Sequence, residues 1–534
     1  MKERFFNTAG PNVPTTQYTL DPLSRIDLDE MLEYIDQGKY FILHAPRQTG
    51  KTSCLLALRD YLNERGDYIA VYANIEGGQA ARNDVDTVIT GVCKSIALRT
   101  ANIIDQQMPI ELLTQVNDDS SSTKLSTYLT ILCKALPKPL VLFIDEIDSL
   151  VGDPLVSVLR QIRSGYDERP ARFPQTVVLC GVRDVRDYRI VTSNQDIITG
   201  GSAFNIKAAS LRLGNFTPED IRELYGQHTA ETGQVFEEEC FPLVWEATEG
   251  QPWLVNALAN EVTYNMRENR DRSVRITAEM MYRAQENIIY RRDTHIDILI
   301  DKLREPRVRR VIEPILANSE NMDDSQLIDD DIQYVEDMGL IKRERGRPIR
   351  ISCGIYREII PRELTWKKQQ TMVTEEPAWY LKPDGSLDME RLLTDFQQFF
   401  RQNADSWIQT FDYAEAGPQL LLQAFLQRVV NGGGYIDREY GLGRRRTDLL
   451  IRKPLTDGYG GPIQRVVLEL KILRGDLEAT IEKGLEQTAA YMDLSAADEG
   501  HFIVFDRTKT KTWDERIWHQ TRSFSGREIM VWGM

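Results

Sequence analysis

The chain has 534 residues, which at about 150 residues per domain is roughly three or four domains and several buried cores without need of disulfides or a structural metal. Hydrophobic residues make up 42% and charged residues 27%, so a wholly disordered or fibrous chain is excluded. The net charge of −16 argues against a protein that coats DNA non-specifically, because phosphate contacts need Lys and Arg, but it permits an enzyme with a local basic groove.

Residues 1–210 alternate apolar runs with helical stretches. The predicted strands are Tyr40–His44, Tyr68–Ile75, Leu140–Ile144 and Thr176–Cys180. Continuous apolar runs of this length read as buried parallel strands with helices on both faces of the sheet. Residues 211–300 read as a helical lid domain, with Thr217-Pro218-Glu219-Asp220 as a helix start. In 301–365 a helix over Arg307–Leu316, kinked at Pro314, precedes one around Asp330–Gly339. A hairpin of Leu340–Arg343 with Ile349–Ser352 follows, which suggests a winged helix. Residues 366–388 are polar, with Pro377, Pro383 and Gly385, and read as a linker. The last block, 389–534, opens with an amphipathic helix around Met389–Phe400 and continues as helix, three strands, helix and strand. The predicted class is therefore α/β multidomain.

Ala45-Pro46-Arg47-Gln48-Thr49-Gly50-Lys51-Thr52 lies between the strand Tyr40–His44 and the helical run Ser53–Asn63. Strand, glycine loop and helix is the setting of a phosphate-binding loop. Backbone N–H groups and the helix dipole favour anions there. The run Ala45 to Ser53 would bind the cofactor, with Lys51 on the outer phosphates and the Thr52 hydroxyl on Mg²⁺. The first position is Ala45 rather than glycine. Leu140–Ile144 runs into Asp145 and Glu146. Asp145 would join the Mg²⁺ shell with Thr52, and Glu146 would polarise the attacking water. Arg183, past the strand Thr176–Cys180, either senses the γ-phosphate or is a surface arginine on a loop. His44 is expected to be a packed strand residue.

The set Ala45–Thr52, Leu140–Asp148 and Arg183 resembles the additional-strand branch of P-loop ATPases, close to AAA+ and STAND proteins. Asp145-Glu146-Ile147-Asp148 is similar to the run in origin-recognition-type ATPases. Gly250-Gln251-Pro252-Trp253-Leu254 resembles the Gly-x-Pro motif of the STAND helical domain. The resemblance covers about residues 15–365 and implies ATP as cofactor, a nucleotide switch and homo-oligomerisation.

In the last block Gly434–Glu439, Thr447–Ile451 and Arg465–Lys471 read as strands. Asp448 and Glu469 fall on adjacent strands, and Glu469 and Lys471 share a strand face. Two carboxylates suit Mg²⁺, which lowers the pKa of water and offsets charge on a phosphate, while a lysine positions water. A Glu-x-Lys triplet alone carries little, since about two arise by chance in such a chain. The ordered set adds Gly443, Arg446, and Gln487 with Tyr491 at i, i+4 on the next helix. It resembles the PD-(D/E)XK nuclease superfamily over about residues 405–510. That resemblance implies that Asp448, Glu469 and Lys471 are catalytic, with Asp448 and Glu469 on the metal, and that Gln487 and Tyr491 support the site or contact DNA. Glu415 is either a further site acid or a helix-end charge. Asp437 and Glu439 read as exposed. Arg444-Arg445-Arg446 is either a local basic patch or a solvated turn.

The whole chain resembles a bacterial family of AAA-like ATPases fused to PD-(D/E)XK domains. The expected activity is Mg²⁺-dependent, ATP-gated DNA cleavage in defence or repair. The alternative is a STAND-type switch whose nuclease-like domain only binds nucleic acid or a partner. The longest apolar run is far short of the ~20 residues of a membrane span. The opening MKERFFNTAGP lacks the apolar core of a secretory signal. Six scattered cysteines, with no Cys-x-x-Cys pair, fit a reducing cytoplasm.

Overall fold

The computed structural model describes residues 3–534 except 185–188, 192–196, 200–203, 292–293, 317–328, 345–347, 361–379, 409–421, 423–424, 427–434, 443–444, 456–461, 474, 507 and 509. Two compact units divide the chain, Met1–Ile288 with Gln333–Ile341, and Ile289–Ile332 with Lys342–Met534.

The first unit opens with β1 (Phe5–Phe6) and β2 (Gln17–Tyr18), which pair in parallel. There follow α1 (Leu28–Asp36), β3 (Tyr40–His44), α2 (Lys51–Arg65), β4 (Ile69–Asn74), α3 (Val85–Ile104), α4 (Met108–Thr114), α5 (Lys124–Ala135), β5 (Leu140–Asp145), α6 (Gly152–Ser164) and β6 (Thr176–Gly181). After a small antiparallel pair, β7 (Arg189–Val191) and β8 (Ile197–Thr199), comes β9 (Lys207–Arg212). The main sheet has the order β4-β5-β6-β3-β9, and every pairing in it is parallel.

Alternation along the strands supplies two cores. Tyr40, Ile42, Val71, Ala73, Leu142, Ile144, Val177 and Leu179 meet α3, α5 and α6 on one face. Phe41, Leu43, Ala70, Tyr72, Val141, Phe143, Val178 and Cys180 meet α1 and α2 on the other. Burial on both faces is why these strands read as unbroken apolar runs. β6 stands between β5 and β3, so an additional strand separates the phosphate-loop strand from the strand that ends in acids. The edge strand β9 was not among the predicted strands. Its sequence, KAASLR, is half-exposed and has no apolar run.

The helices α7 (Pro218–Thr232), α8 (Cys240–Thr248), α9 (Pro252–Asn260) and α10 (Ala278–Arg291) follow. The predicted start of α7 is a capping box. The Thr217 hydroxyl accepts from the Asp220 N–H at 3.1 Å, and the Asp220 carboxylate accepts from the Thr217 N–H at 2.8 Å.

Then come α11 (Thr294–Lys302), α12 (Pro306–Leu316), which continues through Pro314, and α13 (Asp329–Asp337). The chain passes between the two units inside α10, again inside α13, and after Ile341. Two short strands, β10 (Ile341–Lys342) and β11 (Arg350–Ile351), form a two-stranded sheet. The predicted turn at Gly346-Arg347-Pro348 lies largely outside the described residues, as do linker residues 366–379. Leu387, placed by sequence in the linker, is 1% exposed within the core that follows.

That core belongs to α14 (Met389–Ile408), β12 (Tyr435–Leu442), β13 (Arg445–Pro454), β14 (Ile463–Ile472), α15 (Leu477–Ser495), β15 (Glu499–Phe505), α16 (Trp513–Arg516), β16 (Trp518–Phe524) and β17 (Arg527–Gly533). The sheet order is β12-β13-β14-β15-β17-β16. Leu449, Ile451, Val466 and Leu468 face α14, while Leu450, Val467, Phe502 and Val504 face α15. The hairpin of β16 and β17 was not anticipated. Its edge strand, WHQTRSF, alternates between half-buried and exposed residues, and it turns through Ser525 and Gly526, both at positive φ.

Candidate functional site

β3, between β6 and the edge strand β9, delivers the chain into the loop Ala45–Gly50. Ala45 is 1% exposed, and its N–H donates to the Gly181 carbonyl of β6 at 3.3 Å. Gly50 caps α2 with φ +91°, a conformation that favours glycine, and a Cβ there would lie 2.7 Å from Arg25 Nη1. The first turn of α2 holds no acidic residue, so its N–H groups and positive dipole end stay available to an anion. Lys51 Nζ donates to the carbonyls of Ala45 at 2.9 Å and Pro46 at 3.0 Å. The Thr49 hydroxyl donates to the Pro46 carbonyl at 2.8 Å. Arg47 and Gln48 are exposed, and Ser53 is 9% exposed.

At the tip of β5, Asp145 is fully buried. One of its oxygens accepts from the Thr52 hydroxyl and from the Tyr72 hydroxyl, each at 2.8 Å. The other accepts from the Glu146 N–H at 2.9 Å. Thr52 and Asp145 thus present hard oxygen donors side by side. This set fits Mg²⁺, which takes one or two protein oxygens and completes its shell with phosphates and water. Among the described residues there is no group of three or more His, Cys, Asp or Glu able to hold a metal.

Glu146 sits at φ +61° at the start of a short 3₁₀ turn, half-buried. Burial, reinforced by Asp148 and Asp145 and opposed by Lys51 and Arg47, holds its carboxyl above the ordinary glutamate value. Asp148 accepts from the Val182 N–H at 3.3 Å and packs on Gly181, where a Cβ would come within 2.8 Å of its oxygen. It therefore ties the tips of β5 and β6. Arg183, 8% exposed, pairs through Nε with Asp337 at 3.4 Å and lies 4.8 Å from the Tyr334 ring centroid. Half-buried His44 is held below the ordinary histidine value by desolvation.

Three contributors had no signal in the sequence. Arg25 donates to the carbonyls of Thr49 at 2.7 Å and Gly214 at 2.6 Å and lies over the Phe216 ring. Tyr72 closes the Asp145 cluster. The N-terminal run 7–12 reaches the loop helix and lid, with the Asn12 N–H donating to Ser53 Oγ at 3.3 Å and Trp253 Nε1 to the Thr8 carbonyl at 2.8 Å. None of these falls at a recognisable motif spacing. The Gly-x-Pro run does have one. Gly250, at φ +73°, packs so closely that a Cβ would lie 1.9 Å from the Phe216 carbonyl oxygen. Gln251 caps α9, its oxygen accepting from the Leu254 N–H at 2.6 Å, and its Nε2 donates to the Gln48 carbonyl of the loop at 3.4 Å.

In the second unit Leu449 pairs with Leu468 in the antiparallel ladder of β13 and β14. One step further along that ladder are Asp448 and Glu469. The Asp448 side chain lies outside the described residues, as do Gly443, Arg444, Glu415 and the side chains of Asp437, Glu439, Arg445 and Arg446. Glu469 is 2% exposed, and Lys471 Nζ lies 3.4 Å from its Oε1. Both share strand parity with Val467, which faces α15. Tyr491 is buried on α15, and Gln487 is half-buried there with an Oε1 that has no hydrogen-bond partner among the described residues.

A family profile describing an AAA-like domain matches residues 23–361. Among solved structures the chain is similar to the Walker-type ATPase PABY2304 of Pyrococcus abyssi, with TM-score 0.46, 15% identity and coverage of 66% of this chain and 99% of that one. It is similar to Cdc6p of Pyrobaculum aerophilum, with TM-score 0.37, 15% identity and coverage of 67% and 97%. For the ORC2 protein of Aeropyrum pernix the values are 0.34, 15%, 65% and 93%. No curated protein matches. Among the described residues no helix is long and apolar enough to cross a membrane. With a P-loop NTPase-like sheet, helices on both faces and a family match over residues 23–361, this chain belongs to the AAA-like domain family.

Proposed function

We propose that the chain binds and hydrolyses ATP in its first unit and uses that cycle to gate Mg²⁺-dependent cleavage of DNA by its last sheet. The observation that carries the first half is the Thr52–Asp145 hydrogen bond beside Lys51 and Glu146. Lys51 leaves its loop carbonyls to meet the outer phosphates. Thr52 and Asp145 would hold Mg²⁺, whose charge would offset that of the phosphates. Glu146 orients the attacking water and takes its proton, a role suited to a carboxylate whose pKa is raised by burial. Arg183 reports the state of this pole through its pairing with Asp337.

The cleavage half is supported by the buried Glu469, its contact with Lys471, and the ladder step that sets Asp448 next to Glu469. Asp448 and Glu469 would hold the metal, and Lys471 would position water or stabilise the phosphate. Gln487 and Tyr491 would support the site from α15. The helices α12 and α13 with the short sheet of β10 and β11 fit a winged helix that docks DNA. Homo-oligomerisation, a cytoplasmic setting and a role in defence or repair complete the proposal.

A second reading is a signalling switch whose last sheet only binds nucleic acid or a partner. The contact of Gln251 with the Gln48 carbonyl favours it, because it joins the phosphate loop directly to the lid. Cleavage of supercoiled and linear DNA with Mg²⁺, with and without ATP, separates the two. Cleavage that disappears in Lys471→Ala supports the nuclease. Cleavage that survives Lys471→Ala, or none from wild type, supports the switch.

A further inference from the structure

Beside the phosphate loop the first unit holds an open cleft with an inner volume of about 90 Å³. Ser53 and Gly50 line it from the loop helix, Trp253 and Asn256 from α9, and Arg25 and Phe216 from the segments flanking the core. Thr52, Asp145 and Glu146 do not line it. A triphosphate lying along the loop with its terminal phosphate toward Asp145 and Glu146 leaves its inner phosphate near Ser53. The cleft is then where the base emerges. The flat apolar surfaces of Trp253 and Phe216 suit a planar ring.

Asn256 is 8% exposed. Its Nδ2 donates to the Pro252 carbonyl, one helical turn back, at 2.8 Å. That bond sets the amide orientation, because the reverse would bring Oδ1 against a carbonyl oxygen. Oδ1 is buried and has no hydrogen-bond partner among the described residues. A buried acceptor left unpaired is costly, so its natural complement is a ligand donor. Arg25 Nε, also in the cleft wall, is a buried donor with no partner among the described residues.

We infer that this cleft holds the base of the nucleotide and that Asn256 Oδ1 accepts from the 6-amino group of adenine, making Asn256 the residue that selects adenine over 6-oxopurines. The inference rests on the nucleotide reading given above. Adenine offers a donor at position 6 and ring-nitrogen acceptors for Arg25. Guanine and hypoxanthine carry an oxygen at position 6. That oxygen would face Asn256 Oδ1, acceptor against acceptor, with neither satisfied.

Titration calorimetry with ATP, inosine triphosphate and inorganic triphosphate tests it, on wild type, Asn256→Ala and Lys51→Ala. Wild type should bind ATP about tenfold or more tighter than inosine triphosphate, the scale of one buried hydrogen bond. Asn256→Ala should bring that ratio toward one and leave the affinity for inorganic triphosphate unchanged. Equal wild-type affinities for ATP and inosine triphosphate would overturn the inference even if the variant fails to fold. So would an Asn256→Ala protein that keeps the wild-type ratio. If wild type binds neither nucleotide, or if Lys51→Ala binds both as well as wild type does, the nucleotide reading falls and this inference with it.

Discussion

The two candidate poles of this chain are built differently. Around the phosphate loop the residues placed on the phosphates and Mg²⁺ bond one another, while Arg25 Nε and Asn256 Oδ1, unpaired among the described residues, lie in the adjoining cleft. Lys51 bonds loop carbonyls, Asp145 accepts from Thr52, Tyr72 and the Glu146 amide, and Arg25 bonds Thr49 and Gly214. On the last sheet, Glu469 and Lys471 are together, but Gln487 Oε1 on α15 is buried without a partner among the described residues. A phosphate loop is a local structure, set by one strand, one turn and one helix, and it holds its shape before ligand arrives. An acid–acid–lysine set depends on the register of two strands and on a helix, and like carboxylates close together need a cation. The first pole is preorganised by protein contacts, whereas the proposed second pole would need Mg²⁺ to complete it.

That contrast can be broken by variants that strike one pole only. The largest effect is expected from Lys51→Ala, with nucleotide affinity down at least a hundredfold, about 3 kcal/mol, while the melting temperature stays close to wild type. An equal loss from Lys471→Ala would deny that the poles are separate sites. Next comes Gly250→Ala. Its new Cβ meets the Phe216 carbonyl in a backbone conformation that disfavours L side chains, so thermal or denaturant unfolding should show a loss of about 2–4 kcal/mol in the first unit. A neutral outcome would mean that the lid does not press on the loop flank as described.

The smallest effect concerns pH. The Glu146 carboxyl is held above the ordinary glutamate value by burial, then by Asp148 and Asp145. A protonated carboxyl cannot take a proton from water, so hydrolysis should fail as pH drops through that raised pKa. The acid limb of the rate profile should therefore lie above the ordinary ~4.3. Asp148→Asn keeps the oxygen that accepts from Val182 but removes one of the raising charges, and it should move the limb to lower pH. A limb that stays put would detach Asp148 from the hydrolytic pole.

Much of the first pole was legible in the residues. Short apolar runs bounded by turn signals read as strands covered on both faces, and Gly50-Lys51-Thr52 directly after one leaves little choice of geometry. The paired acids Asp145 and Glu146 end such a run too. What could not be read was whatever depends on distant segments meeting. Arg25 sits in a short 3₁₀ turn with no motif around it, and Asn256 looks like any helix residue until its neighbours are known. Edge strands β9 and β16 hid because half-exposed strands mix polar and apolar residues and resemble loops. In the last unit Glu469, Lys471, Gln487 and Tyr491 are proposed from their order along the chain, since strand parity carries Glu469 and Lys471 to one face whatever surrounds them.

The most direct test is ATP turnover and ATP binding measured together on wild type and Glu146→Gln. The substitution keeps the shape of the half-buried side chain and removes its ability to accept a proton. The account predicts that wild type hydrolyses ATP, and that Glu146→Gln binds it with unchanged affinity while turnover falls about a hundredfold or more. Unchanged turnover in Glu146→Gln, or no hydrolysis by wild type despite tight binding, would contradict it.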